Sequence, residues 1–341
     1  MNNVILTDSL TEELEELEKG LEFSTKEEWI VESHISNWGR KSIWKKIKRL
    51  LIYFNAPFKV FLNRKKYKRI VGWQQFYALV FCFYCRLFHV KKINKVYVIN
   101  FVYKKKKGFL GKIYHKFLQY IVTSKYIDLL CVSSYKYMEE LSEEFKISID
   151  LFRTIPFGVE DRYAKYKNNK INEEFVLSIG RSNRDYDWLV KQWKGIDYPL
   201  YIISDTYKPT IEMSKNVTIM NNISGEKQYP YMVSCKALII PIDVENVSSG
   251  DTVLLTAMSF ERNVIVTKNS TLAEMYIEDK KDGFIVDKKS KELKPIIEKI
   301  ITKKIDLGSN ARKKFLDNYS RYIMGVNIGI EMKKAYKNEK K

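Results

Sequence analysis

The sequence predicts an α/β protein built from two doubly wound, Rossmann-like domains, and three observations carry that prediction. Short apolar runs rich in Val and Ile alternate with helical patterns along most of the chain, and alternation of strand and helix implies parallel sheets. The 341 residues suffice for two cores, since a single core spans about 100–200 residues. Near the middle, the step Pro156-Phe157-Gly158 interrupts the alternation and reads as an interdomain hinge. With 45% hydrophobic residues and few glycines or prolines, the chain has the composition of a packed protein.

Taken in order, Val4-Ile5-Leu6-Thr7 is the first strand. Ser9-Leu10-Thr11-Glu12 predicts a capping box opening a helix whose Leu10, Leu14, Leu17 and Leu21 share one face. Trp29-Ile30-Val31 reads as a strand, and Lys41 to about Leu62 as a helix interrupted near Asn55-Ala56-Pro57, because proline resists a helix interior. Arg69-Ile70-Val71-Gly72 is the next strand and Gln74 to Leu87 the next helix; Gln74, Gln75 and Arg86 interrupt the latter too much for a membrane span, which needs about 20 apolar residues. Strands continue at Lys95 to Phe101, Leu129-Leu130-Cys131-Val132 and Leu151-Phe152-Arg153-Thr154. A second series runs through Phe175-Val176-Leu177-Ser178-Ile179, Leu200-Tyr201-Ile202-Ile203, Val217-Thr218-Ile219-Met220, Leu238-Ile239-Ile240 and Asn263-Val264-Ile265-Val266. The expected division is 1–156, 157–318 and a terminal helix over 319–341 that packs back on the first domain. Two such halves leave a cleft, and ligands bind outside the carboxyl ends of parallel strands.

Two of those strand ends carry chemistry. Ala237-Leu238-Ile239-Ile240-Pro241 leads toward Ser248-Ser249-Gly250-Asp251-Thr252, and the helical run Val253-Leu254-Leu255-Thr256-Ala257-Met258 follows at once. Backbone N–H groups left unpaired at a helix start, a glycine that permits close approach, hydroxyl donors and the positive end of the dipole all favour an anion such as phosphate. An ordinary capped helix, with Asp251 or Thr252 as N-cap, is the competing reading. Phe175 to Ile179 similarly delivers Gly180-Arg181-Ser182-Asn183-Arg184-Asp185-Tyr186-Asp187, a loop with two cations.

From Ile155 through these loops to Asp282-Gly283-Phe284-Ile285-Val286, the succession resembles the nucleotide-sugar domain of GT-B glycosyltransferases, in particular the GT4-like group of bacterial capsular and exopolysaccharide enzymes. The resemblance implies a GT-B fold whose second domain binds a nucleotide diphosphate sugar. It maps the donor-binding residues onto Gly180, Arg181 and Arg184, the serine/glycine loop Ser248, Ser249, Gly250, Asp251 and Thr252, and the base-binding loop at Asn222 and Ile223. The chain departs from the family at one point. Where the family has two glutamates eight positions apart, this sequence has Ser248 and Thr256; a hydroxyl can hydrogen-bond a ribose but supplies no charge. Asp251, Asp243 and Glu245 are the carboxylates nearby in sequence.

Asp185-Tyr186-Asp187 matches a D-x-D metal motif, but it falls at a helix start, where carboxylates favour the dipole without a metal, so no metal and no other cofactor is expected. Cys82, Cys85 and His89 share a helical face, yet their neighbours are apolar, and cysteine there behaves as a small buried hydrophobe. For catalysis, Asp8 after the first strand and His34 after the second are the N-terminal groups placed at strand ends; acceptor activation calls for such a base.

The net charge is +19, and no acidic residue lies between Glu32 and Asp128. Within that span, Lys41 to Arg49, Arg64 to Arg69 and Lys104-Lys105-Lys106-Lys107 cluster their cations, with Trp44, Ile47, Leu50, Leu51 and Phe54 at near-helical spacing. This pattern suits an anionic membrane surface. Nucleic acid is the rival polyanion, but no recognition helix, zinc spacing or RNP-like strand accompanies the charge. Asn2, Asn3 and Asp8 stand where a signal peptide would be basic and then apolar, so a cytoplasmic protein, peripheral on the inner face of the plasma membrane, is expected. The function expected is transfer of a hexosyl group, without metal, from a nucleotide sugar to a lipid-linked saccharide in capsule or exopolysaccharide assembly. A nucleotide-sugar epimerase of related fold and a non-catalytic polyanion-binding protein are the alternatives.

Overall fold

A computed structural model describes residues 1–35, 42–132, 134–244 and 249–338. Ser36, Lys41, Glu245 and Ser248 lie outside the described residues. Two compact units form: residues 1–157 with the segment from Arg321 onward, and Gly158–Ser320.

In the first unit the elements follow the chain as β1 (Asn2–Thr7), α1 (Glu15–Thr25), β2 (Trp29–Ser33), α2 (Ile43–Leu62), β3 (Tyr67–Gly72), α3 (Gln75–Leu87), β4 (Lys95–Val98), α4 (Gly108–Val122), β5 (Leu129–Val132), α5 (Tyr135–Phe145) and β6 (Phe152–Thr154). The strands form one parallel sheet in the order β2-β1-β3-β4-β5-β6. Because side chains alternate along a strand, Val4, Leu6, Ile70, Val96 and Leu130 face a core shared with α2 to α5. Ile5, Val71, Tyr97 and Leu129 face the opposite one, completed by Leu14, Leu17 and Leu21 and by Met324, Ile328 and Met332.

The second unit runs α6 (Tyr163–Tyr166), β7 (Val176–Ile179), α7 (Tyr186–Trp193), β8 (Leu200–Ile203), β9 (Val217–Met220), α8 (Tyr229–Ser234), β10 (Ala237–Ile240), α9 (Asp251–Ser259), β11 (Asn263–Thr267), α10 (Thr271–Tyr276), β12 (Phe284–Val286), α11 (Leu293–Ile301) and α12 (Gly308–Asn318). Its parallel sheet has the order β12-β11-β10-β7-β8-β9. The chain leaves β7 in one direction and, after β10, continues in the other. Adjacent strands β7 and β10 thus form a topological switch point, where the diverging loops open a crevice. Strands β1 and β3 do the same in the first unit.

The last helix, α13 (Arg321–Asn338), packs on α1 within the first unit. Glycine permits the close approach: a Cβ on Gly20 would lie 2.1 Å from the Tyr322 carbonyl oxygen, and one on Gly325 would lie 2.4 Å from that of Leu17.

Two local expectations are corrected. The segment after β1 does not open as a capping box: Thr11–Leu14 is a short 3₁₀ turn without a side-chain cap, the Ser9 amide donates to Thr7 Oγ1, and Leu10 is exposed while Leu14, Leu17 and Leu21 are buried. Nor does Pro57 break α2, which runs through it. An interior proline costs about 3 kcal/mol, but Val60 and Phe61 are buried on the same face as Ala56 and Pro57. Each large apolar side chain so buried contributes about 1.5–3 kcal/mol, enough to hold the helix together.

All four cysteines are free and buried. Burial pushes the Cys85 thiol up to about 12 and that of Cys82 up as well, so both pack as apolar groups. Among the described residues no group of His, Cys, Asp and Glu side chains is arranged to hold a metal ion.

Candidate functional site

At the switch point of the second unit lies a cavity of about 450 Å³, within the usual range for ligand pockets. Gly180, Arg181 and Arg184 border it from the loop after β7; Ile223, Ser224 and Gly225 from the loop after β9; and Ser249, Gly250, Asp251 and Thr252 from the start of α9. Of the other sequence-designated residues, Asn222 adjoins this wall and its amide donates to Asp205 Oδ1 at 2.7 Å. Thr256, one turn into α9, donates its hydroxyl to the Thr252 carbonyl at 2.6 Å and is buried.

The loops after β7 and β10 are joined by short polar contacts. The Asp185 amide donates to the Pro241 carbonyl at 2.9 Å, and the Val244 amide donates to Asn183 Oδ1 at 2.7 Å, while Asn183 Nδ2 donates back to the Val244 carbonyl at 3.1 Å. This lattice holds the Arg184 side chain along the cavity floor. Its Nε donates to the Ile179 carbonyl at 3.3 Å, and Nη1 to the carbonyls of Ser182 and Asn183 at 3.2 Å and to Ser249 Oγ at 3.4 Å. Every one of these partners is neutral, and among the described residues no salt bridge joins Arg184 or Arg181 to a carboxylate. Burial lowers the Arg184 pKa, with the charges around Tyr186 and Asp251 opposing that shift, yet an arginine remains protonated in a protein. The result is a half-buried cation held in position with no ion-pair partner among the described residues, which favours an anionic ligand.

Two glycines shape the seat. A Cβ on Gly180 would come within 2.7 Å of Arg184 Nε, and one on Gly250 within 2.7 Å of Nη2. Gly250 also has φ of +103° and is the N-cap of α9, with no side chain to cap the helix. The reading in which Asp251 or Thr252 is the N-cap is therefore not what forms; the first-turn amides lie at the cavity wall, beside the positive end of the dipole. Asp251 is turned to another use, accepting from Tyr276 Oη at 3.0 Å; burial first, and then Asp251, raises the Tyr276 pKa. Gly250→Ala is expected to strain the backbone and displace the guanidinium. Unfolding free energy should fall by about 1–3 kcal/mol in a denaturant titration, and nucleoside diphosphate affinity should fall with it in calorimetry.

Asp185 and Asp187 are both engaged structurally. Asp185 caps α7 through the Trp188 amide at 3.0 Å and pairs with Lys288 at 2.7 Å, while Asp187 accepts from Tyr207 Oη at 2.7 Å and from the Thr210 hydroxyl.

In the first unit, Asp8 and His34 both sit at the carboxyl edge of the sheet. Asp8 Oδ2 accepts from Gln74 Nε2 at 3.0 Å, which links the loops after β1 and β3. The His34 amide donates to the Thr7 carbonyl at 2.8 Å, and its ring packs edge-on against Tyr77, whose hydroxyl donates to the His34 carbonyl at 2.5 Å. His34 Nε2 lies 3.0 Å from Glu32 Oε1, and Tyr67 Oη donates to Glu32 Oε2 at 3.0 Å. These contacts, His34 first, hold the Glu32 carboxyl below the usual range although burial opposes them. Glu32 and Gln74 are not singled out by sequence; the one signal is that each stands near a strand's carboxyl end.

Comparison with known proteins agrees with this geometry. Residues 173–303 match the family model described as glycosyl transferases group 1. Comparison with curated proteins returns no match. Among solved structures, a sucrose-phosphate synthase from Thermosynechococcus elongatus aligns at TM-score 0.64 and 15% identity, over 99% of this chain and 100% of that one. HepE from Anabaena, solved in complex with UDP, aligns at TM-score 0.63 and 12% identity over 98% and 100%. A glycosyltransferase from Rickettsia africae aligns at 0.61 and 13% identity over 99% of both chains. Residues 173–303 thus resemble a group 1 glycosyl transferase domain, and the chain has a fold of the GT-B type.

Proposed function

We propose that this glycosyltransferase moves a hexosyl group from a nucleoside diphosphate sugar to a lipid-linked saccharide at the cytoplasmic face of the membrane, in capsule or exopolysaccharide assembly. The observation that carries the donor half is Arg184: a fixed guanidinium whose partners among the described residues are neutral, facing the start of α9, which no side chain caps, at a switch point. A diphosphate supplies the missing negative charge. Arg181, exposed on the same loop, and the Ser249 hydroxyl add donors to it, and the Asn222–Gly225 wall lies where a nucleoside can rest. A leaving diphosphate gains charge as the glycosidic bond breaks, so these donors strengthen toward the transition state and make a metal unnecessary. That Anabaena HepE is solved with UDP and with UDP-glucose supports a uridine donor. Asp8 and His34 are assigned to the acceptor, His34 taking the proton of the attacking hydroxyl. The basic first unit supports an acceptor held at an anionic surface.

Calorimetry with UDP and GDP, each with and without EDTA, tests the donor site. One of the two diphosphates is expected to bind equally well in both buffers. Binding that appears only with added manganese, or with neither nucleotide, refutes the reading.

A further inference from the structure

Chain direction places two exposed apolar tips at one edge of the first unit. All six strands of its sheet are parallel, so each helix joining consecutive strands of the chain runs back against them and starts at the carboxyl edge. That holds for α2, between β2 and β3, and for α4, between β4 and β5. The two helices lie side by side across α3: the Phe54 and Phe117 rings are 6.1 Å apart, with Phe83 5.2 Å from Phe117 and Phe58 5.0 Å from Tyr84. Their later turns are packed, but their first turns are not. Trp44 is 76% exposed, Phe109 77% and Leu110 78%, with Ile47, Leu51 and Ile113 exposed behind them.

Cations surround both tips. Lys45, Lys46 and Lys48 are exposed on α2, as are Lys104 to Lys107 before α4 and Lys112 within it. Glu144 on α5 is a carboxylate that answers them, 3.0 Å from Lys105 and 3.3 Å from His115. Large apolar side chains ringed by lysine, with no acidic residue between Glu32 and Asp128, are repelled by a basic protein face and complement an anionic phospholipid surface. No helix among the described residues is long and apolar enough to cross a membrane.

We infer that the first turns of α2 and α4 form a two-point wedge that inserts Trp44, Phe109 and Leu110 into an anionic bilayer and so turns the carboxyl edge of the first sheet, with Asp8 and His34, toward the lipid. Charge draws the edge to the surface, and the two apolar tips fix its orientation, because two separated points of insertion resist rotation where one does not. This rests on the reading that the acceptor is lipid-linked, and it adds how such an acceptor reaches these residues without leaving the bilayer.

Flotation with phosphatidylglycerol–phosphatidylcholine vesicles, with phosphatidylcholine vesicles and with a single-stranded RNA competitor tests the wedge on the full chain. The wild type is expected to float with the anionic vesicles, and part of the bound fraction should resist high salt. Phe109→Ser/Leu110→Ser and, separately, Trp44→Ser/Leu51→Ser should each lower partitioning roughly tenfold or more and remove the salt-resistant fraction, with UDP or GDP affinity unchanged as evidence of folding. Wild-type partitioning in both variants, binding fully reversed by salt, or displacement from vesicles by RNA at equal charge overturns the proposal. A chain that binds nucleotide but not vesicles refutes the wedge alone, whereas one that binds vesicles but no nucleotide refutes the donor site.

Discussion

Arg184→Ala is expected to weaken binding of the preferred nucleoside diphosphate roughly 10- to 100-fold in calorimetry, since a hydrogen bond to a charged group contributes about 1.5–3 kcal/mol. The size of the effect follows from how the side chain is held. Its four neutral partners orient the guanidinium without discharging it, so the alanine variant removes a charge already positioned for the ligand. Those partners are three backbone carbonyls and a hydroxyl at an open cavity, where water can replace the lost donors, and the fold should survive with a small loss in melting temperature. Arg184→Lys keeps the charge but not the planar fork, and should fall between wild type and alanine. Arg181→Ala should cost less, because Arg181 is exposed and its charge is better screened. A folded Arg184→Ala protein with wild-type affinity would remove the main support for a diphosphate at this site.

How far the sequence discloses this arrangement depends on the range of the interactions concerned. Strands buried on both faces, such as β7 and β10, are continuous apolar runs and are legible to within a residue. So is the loop that opens with Gly180 after β7, because a close approach, here of the Arg184 side chain, needs that residue there. Pairing order follows from chain direction and short connections, which is why the fold class is readable. Helix α2 is not readable through Pro57, since its continuity depends on burial against α3, a tertiary contact that overrides a local preference. The start of α1 fails for a related reason: the Ser9-to-Glu12 pattern is local, but the Thr7 hydroxyl captures the Ser9 amide. In the site, Arg184 is nameable from its loop, whereas the neutrality of its hydrogen-bond partners among the described residues is visible only in the folded chain. Asp251 is a further case: its sequence position suits a cap, and its contact, Tyr276, lies 25 residues on.

His34→Ala is expected to lower kcat by about 10²–10⁴, the usual share of a positioned general base, while leaving nucleoside diphosphate affinity unchanged, because His34 and the donor cavity belong to different units. His34 is fixed from three sides: its backbone amide on the Thr7 carbonyl, its ring against Tyr77, and Nε2 on Glu32. A carboxylate on one ring nitrogen sets the tautomer and stabilises the imidazolium that forms when the other takes a proton. On the proposed role of His34, Glu32 is a positioning residue, itself held by the Tyr67 hydroxyl at 3.0 Å. Glu32→Gln keeps a hydrogen-bonding side chain but not the charge, so it should lower kcat less than His34→Ala without raising KM for the donor. Turnover is measured as UDP or GDP release from the donor sugar in the presence of the lipid-linked acceptor. Loss of packing and loss of a base are separated by adding imidazole: a small base entering the vacated space of His34→Ala should restore part of the rate. A variant that melts as wild type does and turns over at the wild-type rate would transfer the acceptor's proton to another group, with Asp8, 3.0 Å from Gln74 on the same sheet edge, the next to replace.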